Sequence, residues 1–132
     1  MEFVFRLDLD YIDKKTLEKY IDMIKKIGKA RIKKIRYRVS AGGEGYHVEI
    51  TYQVPDPLVK MMSDANMFLL GVRFSLLDCY GRIKGDIARH KNGERIDRLA
   101  DYKYNRTTQY EGYAGNWHTC FVAPKKKKYK KE

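Results

Sequence analysis

Several features that mark other classes of protein are scarce in this sequence. Its 132 residues include 2 cysteines, 3 prolines and 1 tryptophan. Cys79 and Cys120 form no C-x-x-C pair, which argues against a disulfide framework and a standard zinc ribbon. No apolar run approaches the roughly 20 residues that a membrane-spanning helix needs, and residues 1–4 do not resemble the start of a signal peptide. These absences predict an intracellular, cytoplasmic protein with no membrane partner.

Positive charge is the most marked feature that is present. Lys and Arg total 28 against 17 Asp and Glu, a formal net charge of +11. Residues 125–132 contain six Lys and one Glu, so this segment carries +5 and residues 1–124 carry +6. The hydrophobic fraction of 43% is large enough for a core. We therefore expect a single α+β domain over 1–124 and a flexible Lys-rich tail over 125–132, with DNA or RNA as the partner. The tail either adds attraction for phosphates or only aids solubility.

Hydrophobic periodicity predicts the order of the elements. Strict alternation indicates strands, whereas apolar residues at helical spacing between Asp13, a predicted N-cap, and Gly28 indicate a helix. The predicted strands are 2–10, 31–40, 46–54, 94–104 and a short edge strand at 119–122. The predicted helices are 57–69, with Asp56 as its cap, together with 14–27 and 75–90, and 105–115 is a polar loop. This order predicts an α+β fold of the ferredoxin-like or RRM-like kind, an antiparallel sheet with helices on one face.

The same alternation predicts which residues occupy the other face of the sheet, which we call the polar face. It comprises Arg6, Asp8, Asp10, Arg36, Arg38, Ser40, His47, Glu49 and Thr51. We expect this face to be uncovered and available to a ligand.

Two patterns within the polar face suggest chemistry. Asp8 and Asp10 lie two residues apart on one strand, so both carboxylates point the same way and can share Mg²⁺ or Mn²⁺. The alternative is a solvated face paired with arginines. Residues 40–47 combine a serine, a glycine-rich turn and His47, a set that can approach a phosphate closely. The alternative there is an ordinary glycine hairpin with an exposed histidine.

A strand with D-x-D, a helix and then S-x-x-G-x-G-x-H resembles the first two motifs of archaeo-eukaryotic primases and primase-polymerases over roughly residues 2–54. That resemblance implies an RRM-like palm, divalent metal on the acidic pair, and phosphate contacts from the serine and histidine. The matching residues are Asp8, Asp10, Ser40, Gly43, Gly45 and His47. Asp78 and Asp101 are candidates for the family's third acidic motif.

The segment 73–89 loosely resembles small archaeal and archaeal-virus proteins, which would place a viral protein in the host cytoplasm. Arg82, Asp86 and Arg89 lie at i, i+4 and i+7 and share a helix face. Arg82 and Arg89 are therefore candidate phosphate contacts, and an ion-paired helix surface is the alternative.

The sequence also contains partial matches to three other kinds of functional site. Rolling-circle initiators and relaxases hold a metal with two histidines on either side of one hydrophobic residue and use a tyrosine nucleophile on a later helix. Here residues 46–49 supply one histidine and a glutamate, and Tyr80 is a candidate nucleophile. A zinc site has no recognised spacing, and five aromatic residues near the C-terminus either stack on unpaired bases or close the core. The residues concerned are Cys79, His90, His118 and Cys120 for zinc, and Tyr102, Tyr104, Tyr110, Tyr113 and Trp117 for stacking.

These observations predict a non-catalytic nucleic-acid-binding relative of primase palms, acting in replication of a mobile element. The alternatives are a minimal metal-dependent primase or nucleotidyltransferase, and a structural or assembly protein of a virus. A homo-oligomer is compatible with all three.

Overall fold

The structure is a computed structural model that describes residues 1–61, 64–107 and 110–124. The predicted tail at 125–132 lies outside the described residues. No helix in the described ranges combines the length and apolar character needed to cross a bilayer. The elements are β1 (Glu2–Asp10), α1 (Lys14–Gly28), β2 (Ile32–Val39), β3 (Gly45–Gln53), α2 (Asp56–Met61), α3 (Ala65–Ser75), α4 (Tyr80–Lys91), β4 (Tyr102–Asn105), β5 (Tyr110–Tyr113) and β6 (His118–Val122).

Four of the strands form one antiparallel sheet in the order β1-β3-β2-β6. The hairpin β2–β3 is as predicted, and β1 pairs with β3, so α1 crosses from one side of β3 to the other. The α+β class is confirmed, and the arrangement is compatible with a ferredoxin-like or RRM-like fold. The sheet is extended by β6 at the β2 edge, while β4 and β5 form a separate two-stranded hairpin.

The core lies between the helices and one face of this sheet. Asp13 caps α1 by accepting a hydrogen bond from the Thr16 N–H at 2.7 Å, which satisfies one of the free donors at a helix start. Three α1 residues at helical spacing then face the sheet. Together with residues of the strands they form the buried core, which comprises Phe5, Leu7, Leu9, Leu17, Ile21, Ile24, Ile32, Ile35, Val48 and Ile50.

The two predicted helices after β3 differ from the observed ones. The predicted helix 57–69 is two helices, because Asp64 accepts a hydrogen bond from the Met67 N–H and caps a new helix there. The predicted helix 75–90 begins only at Tyr80. Leu77 has a φ of 66°, which is not a helical conformation, so it separates α3 from α4.

The predicted strand at 94–104 is also mostly wrong, because only its end, from Tyr102, belongs to β4. Asp97 has a φ of 63°, which is incompatible with an extended strand. The predicted loop at 105–115 contains β5, and the predicted edge strand at 119–122 is confirmed as β6.

The free edge of β1 is covered by side chains rather than by a strand. The Asp78 carboxylate accepts a hydrogen bond from the Asp8 N–H at 2.8 Å, and Asp97 accepts one from the Arg6 N–H at 3.2 Å. The Arg82 guanidinium donates to the Arg6 carbonyl at 2.7 Å. Three consecutive outward-facing groups of this edge are therefore satisfied by side chains from α4 and its flanking segments.

Candidate functional site

The polar face is covered, contrary to the expectation of an open surface. Segment 94–101, which we call the cover segment, lies over it, and ion pairs hold the segment down. The Arg6 guanidinium lies 3.3 Å from Asp97, and Arg38 lies 3.0 Å from Asp101. Of the residues predicted to be exposed on this face, Arg38, Ser40, His47 and Glu49 are buried, whereas Asp10 is exposed.

Glu49 is the centre of the charged network on this face. Its carboxylate accepts hydrogen bonds from Arg36 Nε at 2.6 Å and Nη2 at 2.9 Å, and from Arg6 Nε at 3.0 Å. Burial alone would raise the pKa of Glu49, but the hydrogen bonds and the positive charge of the two arginines lower it below its usual range. The carboxylate therefore stays ionised, and both guanidinium groups are held in place.

Trp117 forms the roof of a pocket on the polar face. The guanidinium carbons of Arg36 and Arg38 lie 4.5 and 4.6 Å from its ring centroid, the geometry of a cation–π contact. A cavity of about 310 Å³ lies beside the ring, and we call it the face pocket. Five arginines and three carboxylates line it, namely Arg6, Arg36, Arg38, Arg95, Arg98, Glu49, Asp97 and Asp101, with Leu99 and Trp117.

Asp8 and His47 meet as the alternation predicts. They are direct partners in the register of β1 and β3, and His47 Nε2 lies 3.7 Å from Asp8 Oδ1. His47 Nδ1 accepts a hydrogen bond from Arg38 Nε at 3.0 Å, so in the neutral ring the proton is on Nε2. Burial, reinforced by the charges of Arg38 and Arg82, lowers the pKa of His47 to about 4. The ring is therefore uncharged at neutral pH.

The carboxylate of Asp8 is unusual because one of its oxygens is isolated. Burial first, and then the neighbouring charge of Asp10, raises the pKa of Asp8 to about 6. Within the described residues, Oδ1 of Asp8 is shielded from solvent and has no hydrogen-bond partner. No group of three or more metal-ligating side chains occurs among the residues that the structure describes. Asp8, Asp10 and His47 thus come together without forming such a cluster.

The glycine turn uses its polar groups internally. The Ser40 N–H donates to the Gly45 carbonyl at 3.0 Å, and the Gly43 N–H donates to the Ser40 carbonyl at 2.9 Å. Gly43 adopts a φ of 69°, and Gly45 packs against the backbone of Leu9. Ser40 is 8% exposed and not displayed outward. These contacts favour an ordinary glycine hairpin over a phosphate-binding loop.

Arg82 and Arg89 lie on α4, beside the β1 edge and not on the polar face. Arg82 pairs with Asp78 at 2.7 Å and with Asp97 at 2.6 Å, whereas Arg89 pairs with Asp86 at 2.9 Å. The alternative interpretation of this segment, an ion-paired helix surface, is therefore what the structure contains. Both arginines also line a cavity of about 480 Å³, the edge pocket, with Asp8, Gly81, Arg98, Leu99 and Ala100.

Five of the predicted site residues line the two pockets, whereas Asp10, Ser40, Gly43, Gly45 and His47 line neither. The face pocket contains Arg36 and Arg38, and the edge pocket contains Asp8, Arg82 and Arg89; the pockets adjoin, because Arg98 and Leu99 line both. The cover segment is not recognisable from the sequence, which predicts a strand at 94–104. The sequence also does not indicate the role of Arg73, which is fully buried in α3 and pairs with Asp78 and Asp86 at 2.8 Å each.

No protein-family model, curated protein or solved structure gives a significant match to this chain. Its function is therefore inferred from the site.

Proposed function

We propose that this protein binds nucleic acid through the face and edge pockets. The observation that carries the proposal is their composition. Together they are lined by seven arginines and four carboxylates, so the combined site has an excess of three positive charges. Arginine is the side chain best suited to phosphate groups, because its planar fork donates two parallel hydrogen bonds.

The arginines have different roles. Arg6 and Arg36 are occupied by Glu49, and their guanidinium groups form the floor of the face pocket. Arg95 and Arg98 are exposed, and within the described residues neither side chain forms an ion pair. They lie on the cover segment and line the face pocket, so their guanidinium N–H groups are available as hydrogen-bond donors. We assign the direct phosphate contacts to these two arginines.

Net charge supports the same partner. The chain carries +11, and the +6 of residues 1–124 is independent of the Lys-rich tail. A positive surface raises the association rate with a polyanion and makes affinity fall with salt. A small anionic metabolite would account for the arginines, but it would not show the steep salt dependence that comes from several phosphate contacts at once.

The test measures binding of labelled oligonucleotides at about 50 and 200 mM salt. We expect the double variant Arg95→Gln/Arg98→Gln to bind more weakly, with a slope of log affinity against log salt reduced by roughly 1.5, about 0.7–0.9 per lost phosphate contact. The matched control is Lys19→Gln/Lys26→Gln, which removes the same charge from exposed positions on α1. No binding by the unaltered protein at low salt, or equal losses in both variants, would contradict the proposal.

The isolated oxygen of Asp8 favours a second candidate, metal-dependent nucleotidyl transfer. Asp8 and Asp10 would hold the cation, and two carboxylates fit Mg²⁺ or Mn²⁺ because these ions complete their coordination with water and substrate phosphates. The ion would supply Lewis-acid stabilisation of a phosphoryl group. His47 is tied to Arg38, so it positions that guanidinium and does not act as a free ligand.

This second candidate has its own test. Mn²⁺ binding followed by electron paramagnetic resonance should be lost in Asp8→Asn, and so should any Mn²⁺-dependent incorporation of nucleotides. The control is Asp22→Asn, an exposed carboxylate on α1. If Asp8→Asn retains Mn²⁺ binding, or if the unaltered protein binds no Mn²⁺, the metal assignment is wrong while nucleic-acid binding is unaffected.

A further inference from the structure

The β4–β5 hairpin presents a row of tyrosines that neither pocket uses. In its register Tyr102 lies opposite Tyr113, and Tyr104 lies opposite Glu111. Because side chains alternate between the faces of a strand, these four residues share one face, whereas Lys103 and Gly112 occupy the other. Tyr102, Tyr104 and Tyr113 are 42%, 51% and 79% exposed. We call this face the tyrosine face.

The base of the hairpin is joined to the polar face. The Gly115 N–H donates to the Val39 carbonyl at 3.0 Å, and the Ala114 N–H donates to the Asp101 carbonyl at 2.7 Å. Asp101 in turn pairs with Arg38, a residue of the face pocket. The tyrosine face is therefore connected through Ala114 and Asp101 to Arg38, an arginine of the face pocket.

Lys103 shows which way the hairpin faces. A Cβ built on Gly42 would lie 3.6 Å from Lys103 Cδ, so the lysine side chain lies against the glycine turn of the sheet. The tyrosines on the opposite side of the hairpin consequently point away from the domain. Their exposure is a result of the hairpin's orientation and not of an incompletely packed core.

Folding explains only part of this arrangement. The Tyr102 and Tyr113 rings lie 4.9 Å apart, and the Tyr102 hydroxyl donates to Glu111 at 2.7 Å, so this pair stabilises the hairpin. Tyr104 is different, since no ring partner for it occurs among the described residues. Its half-exposed ring adds little to stability. Neighbouring exposed aromatic rings that folding does not explain make this face a candidate interaction surface.

We propose that the tyrosine face stacks on unpaired bases, so that the preferred ligand is single-stranded nucleic acid. This inference rests on the proposed function, because it assumes that the phosphates bind at the arginine pockets. Duplex DNA hides the faces of its bases, whereas a single strand offers them to aromatic rings. The overall charge favours a polyanion over an apolar protein partner, since the chain carries +11, Arg106 follows the tyrosines of β4, and Glu111, the carboxylate on this face, is bonded to the Tyr102 hydroxyl.

Tyr104→Ala is the decisive variant, because this ring has no aromatic partner among the residues that the structure describes. Fluorescence anisotropy would compare oligothymidylate of about 16 nucleotides with a duplex of the same length. We expect Tyr104→Ala to weaken single-strand binding by about 5- to 100-fold, equivalent to roughly 1–3 kcal/mol. Duplex binding and the salt slope should be unchanged, since no phosphate contact is lost. Tyr104→Phe should retain the affinity because it retains the ring.

The controls separate this inference from the proposed function. Phe74→Ala removes an aromatic ring that is 59% exposed on α3 and should leave both affinities unchanged. Tyr113→Ala is a second tyrosine-face variant and should repeat the loss of single-strand binding if Tyr104→Ala does not fold. If the protein binds single strand and duplex alike and neither tyrosine variant changes this, stacking is wrong and the proposed function stands. If the protein binds neither ligand at low salt, the proposed function itself fails. If Tyr104→Ala abolishes self-association and leaves oligonucleotide binding intact, the face is a protein interface and stacking is wrong.

Discussion

Arg73 is the position where we expect a single substitution to lower the unfolding free energy of this protein the most. Its side chain is 0% exposed, and its guanidinium lies 2.8 Å from both Asp78 and Asp86 and 3.8 Å from Asp97. In Arg73→Met the apolar volume is roughly preserved, but three shielded carboxylates lose a shared cation. Removing one partner of a buried ion pair costs about 3–5 kcal/mol.

That cost is large relative to the total. Domains of this size are stable by about 5–15 kcal/mol, so the variant should retain only part of its unfolding free energy. At about 3 to 4 °C per kcal/mol for this chain length, the Tm should fall by about 10–20 °C. Arg82 and Arg89 still contact Asp78 and Asp86, which should keep the loss near the lower limit.

The assay is equilibrium urea unfolding followed by the fluorescence of Trp117, the single tryptophan. The control is Arg31→Met, at an exposed position just before β2, which should change the unfolding free energy by less than about 0.5 kcal/mol. A second measurement repeats the urea unfolding at lower pH. The difference in unfolding free energy between wild type and Arg73→Met should shrink as the carboxylates are protonated. A loss below about 1 kcal/mol for Arg73→Met, or a difference that persists in acid, would refute the view that the cation neutralises these carboxylates.

Three further predictions concern the sheet and its polar face. The pKa of His47 is about 4 in the folded protein, below the ordinary value near 6.5, so stability gained from the neutral ring is complete above pH 6.5 and is lost as pH falls toward 4. The advantage of wild type over His47→Gln in urea unfolding should therefore fall by about 3 kcal/mol across that window, and a constant difference would contradict the assignment. Gly45→Ala should lower the unfolding free energy by about 1–3 kcal/mol or more, because its Cβ would lie 2.1 Å from the Leu9 carbonyl oxygen. The control is Gly71→Ala, whose Cβ would meet no described atom within 4 Å and which should be neutral or stabilising. Thermal unfolding measures both variants. Trp117→Ala should lower the unfolding free energy by about 1–3 kcal/mol in urea unfolding followed by circular dichroism, and no loss would show that the roof is not packed on the guanidinium groups beneath it.

The parts of the fold that were predicted correctly are those with local periodicity. Strict alternation located β1, β2 and β3, and because the strand period is two it also placed Asp8 and His47 on one face, where the register makes them direct partners. The cap at Asp13 and the apolar stripe predicted α1 for the same reason. These features depend on residues a few positions apart, so a single sequence contains them.

The covering of the polar face could not be predicted, because it depends on contacts between distant residues. Asp97 reaches Arg6, which lies 91 positions away, from a backbone conformation that no neighbouring residue indicates. Arg73 is similarly hidden, since an arginine among apolar residues normally has its charged end in water. Only the arrangement of three aspartates around it makes burial tolerable, and those aspartates come from α4 and the segments before and after it.

The side chains along β1 also determine how the sheet can meet another chain. A free strand edge is a template for adding a further strand, whether from a second copy, an extended peptide or an aggregate. Here the Asp8 N–H and both backbone polar groups of Arg6 are already bonded to charged side chains, and an incoming strand would have to expel Asp78, Arg82 and Asp97 together. Expelling them would also break the ion pairs that anchor the cover segment. The network that shapes the arginine pockets therefore protects the protein from uncontrolled strand pairing at β1.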